Sequence, residues 1–137
     1  MVARAMPLLG RRILVIEDEY MIADDLATAL RVDGAEVIGP VASLGQGMQL
    51  MAQGGPFDAA VLDINLRGTL AYPLLDRLIA ADVPVLLSTG YDAGMIPERY
   101  RHLPRCDKPV SAARLLQAVA CLWNPLPMPR APMPPAR

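Results

Sequence analysis

Short, continuous apolar runs alternate with segments of helical period along most of this chain, and few folds accept that alternation. Residues 12–17 (RILVIE) are too continuously apolar for a half-exposed strand and suit a central parallel one. Residues 58–63 (DAAVLD) read as a strand that looks fully buried, and 83–89 (VPVLLST) as another. Residues 35–40 (AEVIGP) read as another strand, ended by Pro40, and LPRCDKP at 103–109 holds a short fifth. Between these, Ile22, Leu26, Ala29 and Leu30 recur at helical spacing, with Gly34 as the stop. Ser43 caps a helix carrying Leu44, Met48 and Met51, which Gly54-Gly55-Pro56 terminates. Leu74, Leu75, Leu78 and Ile79 mark a third helix, and Ser111 starts a last one with Leu115, Leu116, Val119, Leu122 and Trp123 on one side. Strands alternating with helices make βαβ units, hence a parallel sheet with right-handed crossovers.

Two regions break the rhythm. Residues 90–104 (GYDAGMIPERYRHLP) hold two glycines and two prolines, so a regular helix there is short at best, and a mobile loop or single turn is expected. Residues 124–137 (NPLPMPRAPMPPAR) are proline-rich and cannot build a core; they read as a disordered tail. The reading is therefore an N-terminal extension at 1–11, one folded domain at 12–123 and a tail at 124–137, with too little chain after Trp123 for an attached output module.

The remaining bulk properties mostly exclude. A formal net charge of −1 argues against a nucleic-acid binder or a partner of anionic membranes. No apolar stretch is long enough for a membrane span, and MVARAMPLLGRR lacks the apolar run of a signal sequence. Cys106 and Cys121 have no metal-ligand spacing and read as reduced thiols, so a cytoplasmic location is expected.

In parallel α/β sheets, functional groups gather at the carboxyl ends of the strands. Those ends here are Glu17 and Asp18, Asp63, Thr89 and Lys108. Clustered carboxylates repel one another, and a hard divalent cation relieves the repulsion, Mg²⁺ in the first place with Mn²⁺ as the alternative. Asp18 and Asp63 would bind it directly, Glu17 through a water, and Asn65 through its backbone carbonyl. Asp63 is then an oxygen nucleophile able to attack phosphorus and form an acyl phosphate. The metal and Lys108 would stabilise charge on the phosphoryl oxygens.

Each residue also has a plain reading. Glu17-Asp18-Glu19 is a favourable acidic helix start, Asp63 can cap the next segment, Thr89 suits any strand, Asp107 is a solvated charge, and His102 is an exposed loop residue. Lys108 is less easily set aside: it is the only lysine among 13 basic residues, in a chain that otherwise uses arginine. A compact ammonium suits a point contact with one oxygen better than a planar fork does. The specificity lies in the set, one type at each strand end.

Taken together, ILVIEDE, AAVLDINLRG, PVLLSTGY and CDKP resemble the receiver domain of two-component response regulators, over about residues 12–123. The resemblance implies a flavodoxin-like α/β fold of five parallel strands in the order 2-1-3-4-5 with five helices, the fourth short or mobile here. It matches Glu17 and Asp18 to the acidic pair, Asp63 to the phosphoacceptor, Thr89 to the switch hydroxyl and Lys108 to the family's lysine. It implies phosphoryl transfer from the phosphohistidine of a sensor histidine kinase or phosphotransfer protein, and a chain that catalyses its own phosphorylation and hydrolysis without being a conventional enzyme. A downstream protein partner, and a homodimer through the face of the fourth helix, fifth strand and fifth helix, are further expectations. LLSTGYD, DINLRG and AYPLLDRL look most like single-domain receivers whose fourth strand runs into Phe-Ala-Thr-Gly, with Leu87 and Ser88 replacing the Phe and Ala. Arg105 stands where the family places an aromatic three residues before the lysine.

Other classes fit less well. An aspartyl phosphatase needs an acid two residues after its nucleophile, and Asn65 cannot donate a carboxylic proton. A flavin carrier would need aromatics to hold the ring and a phosphate loop after the first strand. A receiver-like module that binds partners without phosphorylation stays open at this stage.

Overall fold

The computed structural model describes residues 6–90 and 96–123. The elements run β1 (Arg12–Ile16), α1 (Tyr20–Val32), β2 (Glu36–Val41), α2 (Leu44–Gln53), β3 (Ala59–Asp63), β4 (Asn65–Leu66), β5 (Thr69–Leu70), α3 (Tyr72–Ala80), β6 (Val85–Thr89), a 3₁₀ turn (Glu98–Tyr100), β7 (Arg105–Asp107) and α4 (Ala112–Ala120). Five strands form one parallel sheet in the order β2-β1-β3-β6-β7, the flavodoxin-like order read from the sequence.

The apolar runs are continuous because both faces of this sheet are covered. Side chains alternate across a strand, and here each side meets helices. Leu14, Ile16, Ala60, Leu62 and Leu87 pack with α3 and the 3₁₀ turn, through Leu74, Leu75, Leu78 and Tyr100. Ile13, Val15, Ala59, Val61 and Leu86 pack with α1 and α4, through Leu26, Leu30, Leu115 and Val119. Leu74 is fully buried in the first layer. Leu74→Ala is expected to lower the unfolding free energy by about 2–5 kcal/mol, the usual range for a large-to-small core change. Urea titration checks it, as a lower midpoint with an unchanged slope.

Helix starts follow the sequence. Ser43 Oγ accepts from the Gln46 amide and Ser111 Oγ from the Arg114 amide, each at 3.2 Å. Leu8, ahead of β1, is fully buried in the second layer. The Arg11 guanidinium lies 4.3 Å over the Trp123 ring, and Trp123 Nε1 donates to the Asp58 carbonyl at 3.0 Å.

Three details depart from or extend the sequence reading. Pro40 does not end β2, which continues to Val41. The strand lies at the sheet edge, where a missing N–H is tolerated. Gly39, at φ 99, makes the local irregularity: a Cβ there would lie 3.0 Å from the Val15 carbonyl oxygen. Secondly, β4 and β5 form a small antiparallel hairpin that no pattern announced. Thirdly, among the described residues after β6, Glu98–Tyr100 form the 3₁₀ turn that follows Pro97. Tyr100 in that turn is buried, stacks on Tyr72 at 5.1 Å, and donates from its hydroxyl to Asp76. Residues 91–95, part of the expected loop, and the proline-rich 124–137 lie outside the described residues.

Candidate phosphoacceptor and metal site

Adjacent parallel strands end level with one another, so their last side chains share one rim. The ends of β1, β3 and β6 bring Glu17, Asp18, Asp63 and Thr89 there, and the turn after β7 adds Lys108. The structure brings together four of the side chains read from strand ends, Glu17, Asp18, Asp63 and Lys108, while the Thr89 hydroxyl faces β7.

Lys108 binds the carboxylates to one another. Its Nζ donates to Asp63 Oδ2 at 2.7 Å and to Glu17 Oε2 at 3.1 Å, and lies 2.9 Å from Glu17 Oε1. Glu19 stands at the edge of the same ammonium, 3.9 Å away. The plain reading of Glu17-Asp18-Glu19 as a helix start holds for Glu19, the N-cap residue of α1, although the first turn of α1, from Tyr20, is not acidic. Glu17 is instead buried against the lysine. Burial pushes the Glu17 carboxyl up to about 7; the Lys108 hydrogen bond pulls down and the Asp63 charge pushes up. Burial also disfavours the Lys108 ammonium, but its bonds to Asp63 and Glu17 outweigh that and hold it above the usual lysine value.

The other Asp63 oxygen is held from its own strand end. The Asn65 amide donates to Asp63 Oδ1 at 3.1 Å, while Asn65 Oδ1 accepts from the Gly68 amide at 2.7 Å. That side chain serves the hairpin turn. Thr89 Oγ1 faces β7, with Asp107 Oδ1 at 3.2 Å and the Cys106 carbonyl at 3.4 Å. Asp107 is thus an acceptor for the threonine, where the sequence suggested only a solvated charge.

Three carboxylates here offer oxygens within 4.8 Å of one another, from Glu17, Asp18 and Asp63. The Lys108 ammonium is the close counter-charge among them, 2.7 Å from Asp63 Oδ2 and 2.9 Å from Glu17 Oε1. The donor set is all oxygen, hard and in excess of negative charge, which suits a small divalent cation. A cavity of about 620 Å³ opens beside it, bordered by Asp18, Asp63, Asn65, Arg67, Gly90 and Lys108. The sequence reading assigned Arg67 no role. Its Nε lies 3.8 Å from Asp18 Oδ2, and only the hairpin's geometry could have placed it there.

No family model matches the chain, and no curated protein matches it. Solved structures do. The solution structure of SdrG from Sphingomonas melonis Fr1 is 33% identical, with a TM-score of 0.74, covering 85% of this chain and 98% of that one. The BeF3-activated conformation of SdrG from Pseudomonas melonis Fr1 is 31% identical, with a TM-score of 0.69, covering 88% and 98%. A response regulator receiver domain protein from Clostridium thermocellum shares the fold at 24% identity, with a TM-score of 0.72, covering 83% and 94%.

Proposed function

This chain belongs to the response-regulator receiver family, and on that premise we propose that Asp63 accepts a phosphoryl group from the phosphohistidine of a sensor histidine kinase or phosphotransfer protein, in a Mg²⁺-dependent reaction. The observation that carries the reading is the contact of the Lys108 ammonium with Asp63 Oδ2 at 2.7 Å, at a rim that opens to solvent.

In this reading an Asp63 carboxylate oxygen attacks phosphorus while the P–N bond breaks, its electron pair staying on the imidazole nitrogen. Hydrolysis reverses the role of Asp63: water attacks phosphorus, and the carboxylate departs with the P–O electrons. The Asn65 amide fixes one carboxylate oxygen and so orients the other. Lys108 supplies a positive charge beside the reacting oxygen, where the phosphoryl charge arrives. Glu17, Asp18 and Asp63, with the Asn65 backbone carbonyl, would hold Mg²⁺, which when bound supplies Lewis-acid neutralisation of the phosphoryl oxygens.

Signalling then requires the site to bias a conformational equilibrium. Thr89 is the proposed element, a reading supported by the contacts of its hydroxyl with Asp107 and the Cys106 carbonyl on β7. Drawn toward a phosphoryl group, it releases those bonds, and the face of the 3₁₀ turn, β7 and α4 changes for a partner or a second copy. No aromatic is available at 105 to follow it, since Arg105 is exposed there. The order of residues 90–104 is the natural readout, although 91–95 lie outside the described residues. Among the described residues no helix is long and apolar enough to cross a membrane.

Beryllofluoride with Mg²⁺ stands in for the phosphoryl group and tests this reading directly. It is expected to shift the amide resonances of residues 63–65, 88–89 and 105–108 together. Thr89→Ala is expected to keep the shifts at 63–65 and lose most of those at 105–107. Shifts at β7 that persist in Thr89→Ala would remove the threonine from the switch; no shifts at all in the unmodified chain would favour a phosphorylation-independent binding module.

A further inference from the structure

One cation of the site faces the opening and not the core. Arg67 is the first central residue of the turn joining β4 to β5, at φ 55, with Gly68 following at φ 89. Turns of this hand prefer Asn, Asp or Gly at both centres, because a Cβ is crowded in the left-handed region. An arginine bears that strain, and nothing in the pairing of Asn65 with Leu70 or Leu66 with Thr69 calls for a guanidinium.

What the position provides is reach. It carries the guanidinium across the mouth of the basin to Asp18, the Arg67 side chain 81% exposed and that of Asp18 10%. The same side chain borders the cavity that holds Asp63 and Lys108, and an adjoining one of about 400 Å³ beside Glu17, Asp18 and Pro40. An exposed ion pair 3.8 Å apart adds little to stability, so a merely structural role accounts poorly for a strained arginine.

Resting on the phosphoacceptor reading above, we propose that Arg67 is the arm that binds the phosphoryl donor. As it stands, the guanidinium lies beside Asp18. Freed from Asp18, as it would be were that carboxylate engaged by a divalent cation, its guanidinium binds the anionic oxygens of the incoming donor. The two cations then divide the work by position. Lys108 is 14% exposed and fixed between Asp63 and Glu17, a point charge on the inner side. Arg67 is outside and long, and presents the planar fork that matches phosphate oxygens two at a time. The ligand class is a phosphoryl dianion on a good leaving group, a property shared by phosphoramidates and acyl phosphates.

Arg67→Gly is the informative variant, because glycine takes φ 55 without strain and leaves the turn at least as stable. Two measurements follow, with Arg67→Lys alongside. Calorimetric titration with Mg²⁺ alone should show about two- to fivefold tighter binding in Arg67→Gly, the competing charge at Asp18 having gone. At saturating Mg²⁺, the concentration of acetyl phosphate giving half-maximal labelling should rise about tenfold or more, as expected for losing a charged hydrogen-bond pair. Arg67→Lys should restore the Mg²⁺ affinity and only part of the donor affinity. Unchanged donor dependence in Arg67→Gly overturns the proposal, whether or not Mg²⁺ affinity moves. If the unmodified chain takes no label, the phosphoacceptor reading fails and this inference with it. A labelled wild type with an indifferent Arg67→Gly removes this inference alone.

Discussion

Asp63→Asn is expected to abolish completely the Mg²⁺-dependent mass gain of one phosphoryl group that acetyl phosphate produces in the unmodified chain. The argument is chemical before it is geometric. A carboxamide has nearly the shape of a carboxylate, so the Asn65 amide can still donate to the oxygen it now finds at 3.1 Å. It has no anionic oxygen, however, and its nitrogen would face Lys108 Nζ where Asp63 Oδ2 now accepts at 2.7 Å. The nucleophile is lost and the leaving carboxylate with it, so neither formation nor hydrolysis of an acyl phosphate remains. Intact-mass measurement after incubation with acetyl phosphate and Mg²⁺, with a parallel sample in chelator, reads the result. A full gain in Asp63→Asn would put the nucleophile elsewhere. Turnover of a simple phosphate ester by the unmodified chain would point to a phosphatase, which the placement of Asn65 in the hairpin turn makes chemically awkward.

The sequence carried the central sheet because burial on both faces leaves an unmistakable composition. β1, β3 and β6 each lie between two apolar layers, and apart from Arg12 at the amino end of β1 they contain no polar residue until the carboxyl-end rim. The end of β2 was misplaced at Pro40 because a proline rule holds for interior strands and β2 lies at an edge, a fact about sheet order and not about local pattern. The β4–β5 hairpin was invisible because its strands have two residues each, below any periodicity, and its turn starts with an arginine at φ 55 instead of Asn or Asp. The site follows the same division. Glu17, Asp18, Asp63 and Lys108 were legible as neighbours because strand ends in a parallel sheet must be adjacent. Arg67 and Asp107 were not, because their places depend on a turn and on the bond to Thr89, and neither leaves a mark in the chain.

Lys108→Ala is expected to make the chain both less stable and dependent on Mg²⁺ for much of what it loses. The Lys108 side chain is 14% exposed, and the side chain of Glu17 beside it has no exposure at all. Removing one partner of a buried ion pair costs about 3–5 kcal/mol, chiefly through the charge left behind. The lower end is expected, because Glu17, already pushed up to about 7, escapes by taking a proton. In chelator, urea or thermal unfolding should therefore show a clear loss. Added Mg²⁺ should recover more stability in Lys108→Ala than it adds to the unmodified chain, where the ammonium competes for the same oxygens of Glu17 and Asp63. Labelling by acetyl phosphate should not recover. It should fall about 10²–10³-fold even at saturating Mg²⁺, the usual consequence of losing one preorganised donor at a developing charge. Stability without rate is the signature to look for: a metal can replace the lysine as a counter-charge for the carboxylates, but not as a donor to the phosphoryl oxygen. If Lys108→Ala unfolded like the unmodified chain in chelator and ignored Mg²⁺, the three carboxylates would not be coupled through this lysine, and the electrostatic account of the site would fall.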